Sequence, residues 1–245
     1  MAETLLDLHI RCKWDRKGRA LERHRWPRGD RFVDDSLKLP PDAFRKEDET
    51  PDQIFYAAPR FVTHIDAPAI TAVTELYWTL FPPGGTILDL MSSWISHLPR
   101  DVAYGEIIGH GLNGLELKAN PRLTRFFLQN LNENPGLPLA SGSLDAAAIC
   151  VSIQYLQQPV AVLREVARVL RPGGPLAITF SNRCFPTKAV AIWRALDDDA
   201  HGRLVALYLA EAGFAEIEIR TLIPPGSGSD PLFAIIGRAP RPDNE

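Results

Sequence analysis

The sequence predicts a seven-stranded, doubly wound α/β sheet with a C-terminal antiparallel hairpin. Three observations predict it. Residues 86–90, Thr-Ile-Leu-Asp-Leu, are an apolar run that carries an acid and breaks into a tight turn at Met91-Ser92-Ser93-Trp94. That pattern is the first unit of a nucleotide-binding sheet. Downstream, short apolar runs alternate with stretches of helical spacing. The last two runs, 215–223 and 232–237, are joined only by Pro-Pro-Gly-Ser-Gly-Ser-Asp-Pro, a flexible turn.

Composition sets the limits. The chain has 245 residues, 45% hydrophobic and 23% charged, enough for one large domain or one domain plus an extension. A net charge of −3 gives no general attraction to nucleic acid or anionic membrane. No run approaches the ~18–20 apolar residues of a membrane span. The first residues carry acids and no long apolar core, so they do not read as a secretory signal. Cys12, Cys150 and Cys184 are far apart and make neither a disulfide framework nor a zinc spacing. Reduced thiols in a cytoplasmic protein are the reading, with no metal.

Residues 1–50 read as a basic extension, and 51–245 as the main domain. Between Arg11 and Arg31 stand nine Lys or Arg, with Trp14 and Trp26 interleaved. A solvated arm or a cap over the main domain is the favoured reading; an RNA or phosphate-bearing partner is the alternative. Residues 40–51 read as a short helix between turns, or a linker.

Ala67 to Phe81 has helical spacing, with Ile70, Val73, Leu76, Tyr77 and Leu80 on one face, and Pro82-Pro83-Gly84-Gly85 stops it. The opening strand follows, then about one helical turn before Pro99. Residues 104–109 are the second strand. Residues 113–120 are a helix with Asn113 as its cap, and 125–130 the third strand. Residues 144–151 are nearly all apolar, as a central parallel strand covered on both faces must be. Residues 159–170 are an amphipathic helix with Val162, Val166, Val169 and Leu170 inward, ended by Arg171-Pro172-Gly173-Gly174. The fifth strand is 175–180. Two helices, 186–196 and 200–212, flank Asp197-Asp198-Asp199, and Asp199 is assigned to the cap of the second.

These motifs resemble the class I S-adenosylmethionine (SAM) dependent methyltransferases of the type 11-like kind, which are Rossmann-like. Arg164 to Gly174 matches the family's Glu-x-x-Arg-Val-Leu-x-Pro-Gly-Gly almost residue for residue, and Leu137-Pro138 with Ser143-Leu144-Asp145 matches its Leu-Pro-Phe…Ser-Phe-Asp. Leu88-Asp89-Leu90 matches the strand before the glycine-rich turn, but Met91, Ser93 and Ile95 stand in place of its three glycines. The resemblance covers about 55 to 237. It implies SAM as cofactor, with S-adenosylhomocysteine (SAH) as product.

On that resemblance, Asp89 faces the cationic amino end of the cofactor, and the amides of the turn at Met91, Ser92 and Ser93 face its carboxylate at a helix N-terminus. Either serine hydroxyl caps the helix or contacts the ligand, and Trp94 adds a flat wall. Gly111 stands where the family has a ribose-gripping acid; Asn113, Glu116 or water takes over that contact. Asn130, with Leu131 beside it, stands at the adenine. Val151 and Ser152 lie at the mouth of the fourth strand. His110 reads as a structural residue and Cys150 as an inert core thiol.

Methyl transfer is mainly alignment with exclusion of water. A base is needed only for a protonated acceptor. His97, Tyr155 and Arg183 are the candidates to act on the acceptor. His97 is a base or orienter, or a surface histidine; Arg183 holds a carboxylate or phosphate, or forms a surface salt bridge. Tyr56, Arg60 and His64 form a lid. Methyl transfer to a small molecule is the leading function; the alternative is a non-methylating protein of this fold that binds SAM, SAH or another nucleoside. The partner is a small-molecule substrate, not a membrane, and the basic arm is the sole hint of nucleic acid.

Overall fold

The computed structural model describes residues 39–40 and 42–241. The basic arm, Cys12, Trp14 and Trp26 lie outside the described residues. Seven strands form one sheet in the order β3-β2-β1-β4-β5-β7-β6: β1 Thr86–Leu90, β2 Glu106–Gly111, β3 Arg125–Leu128, β4 Ala146–Cys150, β5 Pro175–Ser181, β6 Ala215–Ile223 and β7 Leu232–Arg238. The first five run parallel, and β7 pairs antiparallel with both β5 and β6.

The helices are α1 Asp52–Phe55, α2 Ala67–Leu80, α3 Gly114–Ala119, α4 Pro159–Val169, α5 Ala191–Arg194 and α6 Asp198–Glu211. In α2, Asp66 caps the first turn by accepting from the Ala69 amide at 3.0 Å, and Val73, Leu76 and Tyr77 are buried. Ile70 and Leu80 of the expected face are only partly covered. The β4 strand and all of β5 are sealed on both faces, as apolar runs with helices on either side require.

The two sequence blocks of the family resemblance hold each other. Glu165 accepts the Leu137 amide at 2.9 Å, and Arg168 donates to the Leu137 and Leu139 carbonyls at 3.0 Å each. One ion pair on α4 therefore fixes the loop that leads into β4.

Residues 42–52 pack across the core rather than forming a linker. Lys46 and the fully buried Lys188 both face Asp52, at 2.7 and 3.5 Å. Lys188 also donates to the carbonyls of Asp48 and Thr50. Two buried ammonium groups sharing carboxylates and carbonyls satisfy the rule that interior charge is paired. Asp52 continues the network to Asn132 at 2.9 Å, joining this strap to the loop after β3.

Several expected boundaries are corrected. Residues 91–105 run as turn and coil, with no helical turn before Pro99. The second strand starts two residues late, because Gly105 donates to the Gly85 carbonyl instead of entering the ladder. The third strand ends at Leu128, since Gln129 and Asn130 turn their side chains onto the following loop. Of the segment 186–196, only Ala191–Arg194 is helical; the preceding amides bond to Phe185 and Gln154 carbonyls. Asp197, not Asp199, caps α6, accepting from Ala200 at 2.8 Å.

Candidate active site at the switch point of the sheet

Strand order reverses between β1 and β4, and in open α/β sheets ligands bind at the carboxyl ends of the strands at such a point. The backbone marks the place. Met91, just after β1, has φ 58°, and Val151, just after β4, has φ 45°. Left-handed backbone is costly for a side chain with a Cβ, above all a branched one, and such strain collects at functional sites. A cavity of about 640 Å³ opens there, within the range of small-molecule sites.

All thirteen candidate residues line this one cavity: Asp89, Met91, Ser92, Ser93, His97, Gly111, Asn113, Asn130, Leu131, Val151, Ser152, Tyr155 and Arg183. The hydrogen bonds at several of them differ from the expectations. The Met91 amide donates to His110 Nδ1 at 3.1 Å, and the Ser92 amide to the His110 carbonyl at 2.6 Å. These amides are therefore occupied, and no helix follows to add a dipole. His110 completes the clamp through Nε2, 2.9 Å from the Gln129 carbonyl. A ring that accepts on Nδ1 and donates from Nε2 is neutral; burial accordingly pushes its pKa down to about 4.

The serines serve the acids. Ser92 Oγ donates to Asp89 Oδ2 at 2.6 Å, as does Ser96 Oγ, and Ser93 Oγ donates to Glu116 Oε2 at 2.6 Å. Neither Ser92 nor Ser93 caps a helix. Asp89 is buried, and desolvation raises its carboxyl above the usual carboxylate range despite the two serines. Both serine bonds fall on Oδ2, which leaves Oδ1 for a cation in the cavity.

Gly111 has a steric reason. A Cβ there would lie 2.7 Å from the Ser92 carbonyl oxygen, so the turn drawn over β2 by His110 occupies the space of an acidic side chain. Neither polar substitute is free for a ribose. Asn113 Oδ1 caps α3 at Leu115 and Glu116, and its Nδ2 donates to the Tyr56 and Ala57 carbonyls. Glu116 accepts Ser93 Oγ and the Arg60 amide. Asn130 is likewise engaged, with Gln53, Glu133 and the Asn132 amide, so the adenine is left with the walls of Leu112 and Leu131 and with main-chain groups.

The residues 56–66 roof the cavity through Tyr56, Arg60 and His64, with Phe185 beside them. Trp94 does not line it; its Nε1 donates to the Val62 carbonyl at 3.0 Å and its ring meets Phe61 edge-on, so it fastens the roof from outside. His97 Nδ1 and Ser152 Oγ are buried without a partner. Burial, and then nearby His64, push the His97 pKa down to about 4. Tyr155 accepts the Phe185 amide at 2.8 Å, and burial pushes its hydroxyl up to about 12. Arg183 is mostly exposed and pairs with Asp230 at 2.8 Å. Cys150 lines the cavity, but burial pushes its thiol up to about 11, which leaves it unreactive.

Sequence reasoning missed Ser96, Phe185 and the Asp66–Asp230 exchange, in which each carboxylate accepts the other's amide at 2.9–3.0 Å. Ser96, seven residues from Asp89, carries no periodic signal. The exchange spans 164 residues. Among the described residues, no cluster could hold a metal ion, and no helix is long and apolar enough to cross a membrane.

Residues 96–178 match the family model for a methyltransferase domain. No curated protein sequence matches. The methyltransferase in the complex with the Haloferax volcanii Trm112 activator is 15% identical (TM-score 0.53), covering 72% of this chain and 92% of that one. The [4+2]-cyclase SpnF is 18% identical (TM-score 0.52), covering 69% and 81%. The Haemonchus contortus phosphoethanolamine N-methyltransferase 2, in complex with SAM, is 12% identical (TM-score 0.52), covering 70% and 52%. At such identities the likeness is one of fold. The cavity's free acid oxygen, its unpartnered buried donors and acceptors, and its apolar walls fit a zwitterionic nucleoside. Residues 96–178 thus match a methyltransferase-domain family model, within a chain that has the fold of the class I SAM-dependent methyltransferases.

Proposed function

We propose that this protein transfers a methyl group from SAM to a small molecule. The observation that carries the reading is the roofed cavity of about 640 Å³ over the switch point. That volume suits a cofactor plus a small acceptor, and a roof built by Tyr56, Arg60 and His64 excludes water from an alignment-driven reaction.

The chain's own residues divide the work. Asp89 Oδ1 receives the cationic amino end, and Leu112 and Leu131 flank the base. SAM supplies the electrophilic methyl group. His97, neutral at physiological pH, accepts a hydrogen bond from the acceptor's O–H or N–H and orients its lone pair. Tyr155 fixes Phe185, and Phe185 closes the acceptor side. Arg183 is a rim residue held by Asp230 rather than a catalytic group.

The test is incubation of the full chain with methyl-tritiated SAM and a dialysable metabolite extract. Label transferred to dialysable products supports the reading. Label confined to the macromolecular fraction, or none transferred, counts against it. A second reading, a nucleoside-binding protein of this fold with other chemistry, is favoured by the occupied turn amides and by a neighbour that is a [4+2]-cyclase. It predicts SAH binding without transfer.

A further inference from the structure

Two arginines line the cavity, and they differ in one respect. Arg183 has a carboxylate partner in Asp230. Arg60 has none: among the described residues no acid comes within ion-pair distance of its guanidinium. Glu116, the acid bonded to the Arg60 main chain, has both oxygens taken, by the Arg60 amide at 2.7 Å and by Ser93 Oγ at 2.6 Å. That chain of bonds locates Arg60 beside the turn after β1 while leaving its charge unanswered.

The guanidinium is held rather than loose. Nη2 donates to the Phe55 carbonyl at 2.9 Å. Cζ lies 4.7, 5.6 and 5.3 Å from the ring centroids of Phe55, Tyr56 and Phe185. Nη1 is buried and has no partner. Ring faces attract a cation but do not accept its N–H groups as a carboxylate does. A partly buried, permanently charged group with an unused donor is unfavourable unless a ligand completes it. Two of the turn amides that the resemblance assigns to a ligand acid, those of Met91 and Ser92, are bonded to His110 instead.

We infer that Arg60 is the anion anchor of the cavity and binds a ligand carboxylate. The carboxylate belongs either to the amino-acid end of the cofactor or to the acceptor, and the inference rests on the cavity being the methyltransferase site proposed above. A planar acid matches the fork of the guanidinium, and the surrounding rings suit an apolar body behind it.

Calorimetric titration of the full chain separates the two sources. In the first arm, SAH is compared with 5′-methylthioadenosine, which lacks the amino-acid end, on wild type, R60K and R60M. In the second, benzoate is compared with benzyl alcohol on SAH-loaded protein. If the cofactor is the source, R60M weakens SAH at least tenfold and leaves 5′-methylthioadenosine within about twofold, with R60K between. If the acceptor is the source, R60M leaves SAH unchanged and abolishes the preference for benzoate. R60K guards against a simple loss of roof packing. Unchanged charged-over-neutral preference in both arms, or equal losses for the charged and neutral ligands, would overturn the assignment alone. Failure of the wild type to bind any of the nucleosides would overturn the methyltransferase reading and this inference together.

Discussion

The Nδ1 of His110 lies 3.1 Å from the main-chain nitrogen of Met91 and accepts its hydrogen. This contact draws the turn after β1 over the end of β2. It also explains three local features: the left-handed Met91, the occupied Ser92 amide and the glycine at 111. The clamp works only with a neutral ring.

Acid should therefore open the turn. The folded pKa of His110, about 4, lies below the unfolded value near ~6.5. The unfolded chain binds more protons in that window, so stability is full above the unfolded pKa and falls as pH drops toward 4. One such group contributes a loss of about 2 kcal/mol between pH 7.5 and 5. In His110→Asn, the amide oxygen can accept from Met91 but does not titrate. Denaturant unfolding at pH 5 and 7.5 should show a smaller pH dependence in this variant. An identical dependence in both proteins would contradict the clamp.

Gly111 should be intolerant for a reason unrelated to chemistry. An added Cβ meets the Ser92 carbonyl at 2.7 Å, and forcing that contact costs about 1–3 kcal/mol. Gly111→Ala should lower the unfolding midpoint. Gly111→Asp, which restores the family's acid, should also fail to tighten SAH in calorimetry. A tighter complex would show that the turn yields and that the ribose contact was merely missing.

The fold was legible because its signals are local. Ala146–Cys150 is apolar on both faces, Pro159–Val169 carries one stripe, and the Glu165–Arg168 pair sits in the block that carries the family resemblance. The turn was not. Ser92 and Ser93 look like helix caps, but long-range bonds to His110 and Glu116, 18 and 23 residues away, override that preference. The acid run misled in the same way: any of three aspartates can cap α6, and packing of Ala200 decides for Asp197. Which residues line the cavity was visible in the strand ends, whereas the free charge of Arg60 depends on which acids are already bonded, and that is a property of the folded chain.

Asp89 should separate affinity from stability. Desolvation raises its carboxyl pKa, so the charged form disfavours the native state above the ordinary carboxylate range, and removing the charge relieves that cost. Asp89→Asn keeps the shape, and the hydroxyls of Ser92 and Ser96 can rotate to accept from the amide. The melting temperature should hold or rise while SAH binding weakens at least tenfold. A parallel fall of both would mark Asp89 as structural.

His97 should behave as a neutral acceptor throughout the physiological range. Its ring is pushed down to about 4 by burial and then by His64, and its Nδ1 has no partner. A base that weak removes few protons at pH 7, but an unprotonated nitrogen in a cavity can hold an acceptor's hydrogen in line. The imidazole Cε1–Hε1 signal, identified by its loss in His97→Gln, should therefore stay flat from pH 8 to 5. The same variant should lower kcat/KM for the acceptor by roughly 10²-fold and leave the Kd of SAH unchanged. A midpoint near ~6.5 would mean that the ring is solvated outside the cavity, and the orienting role would pass to another unpartnered hydroxyl that lines it, Ser152 Oγ.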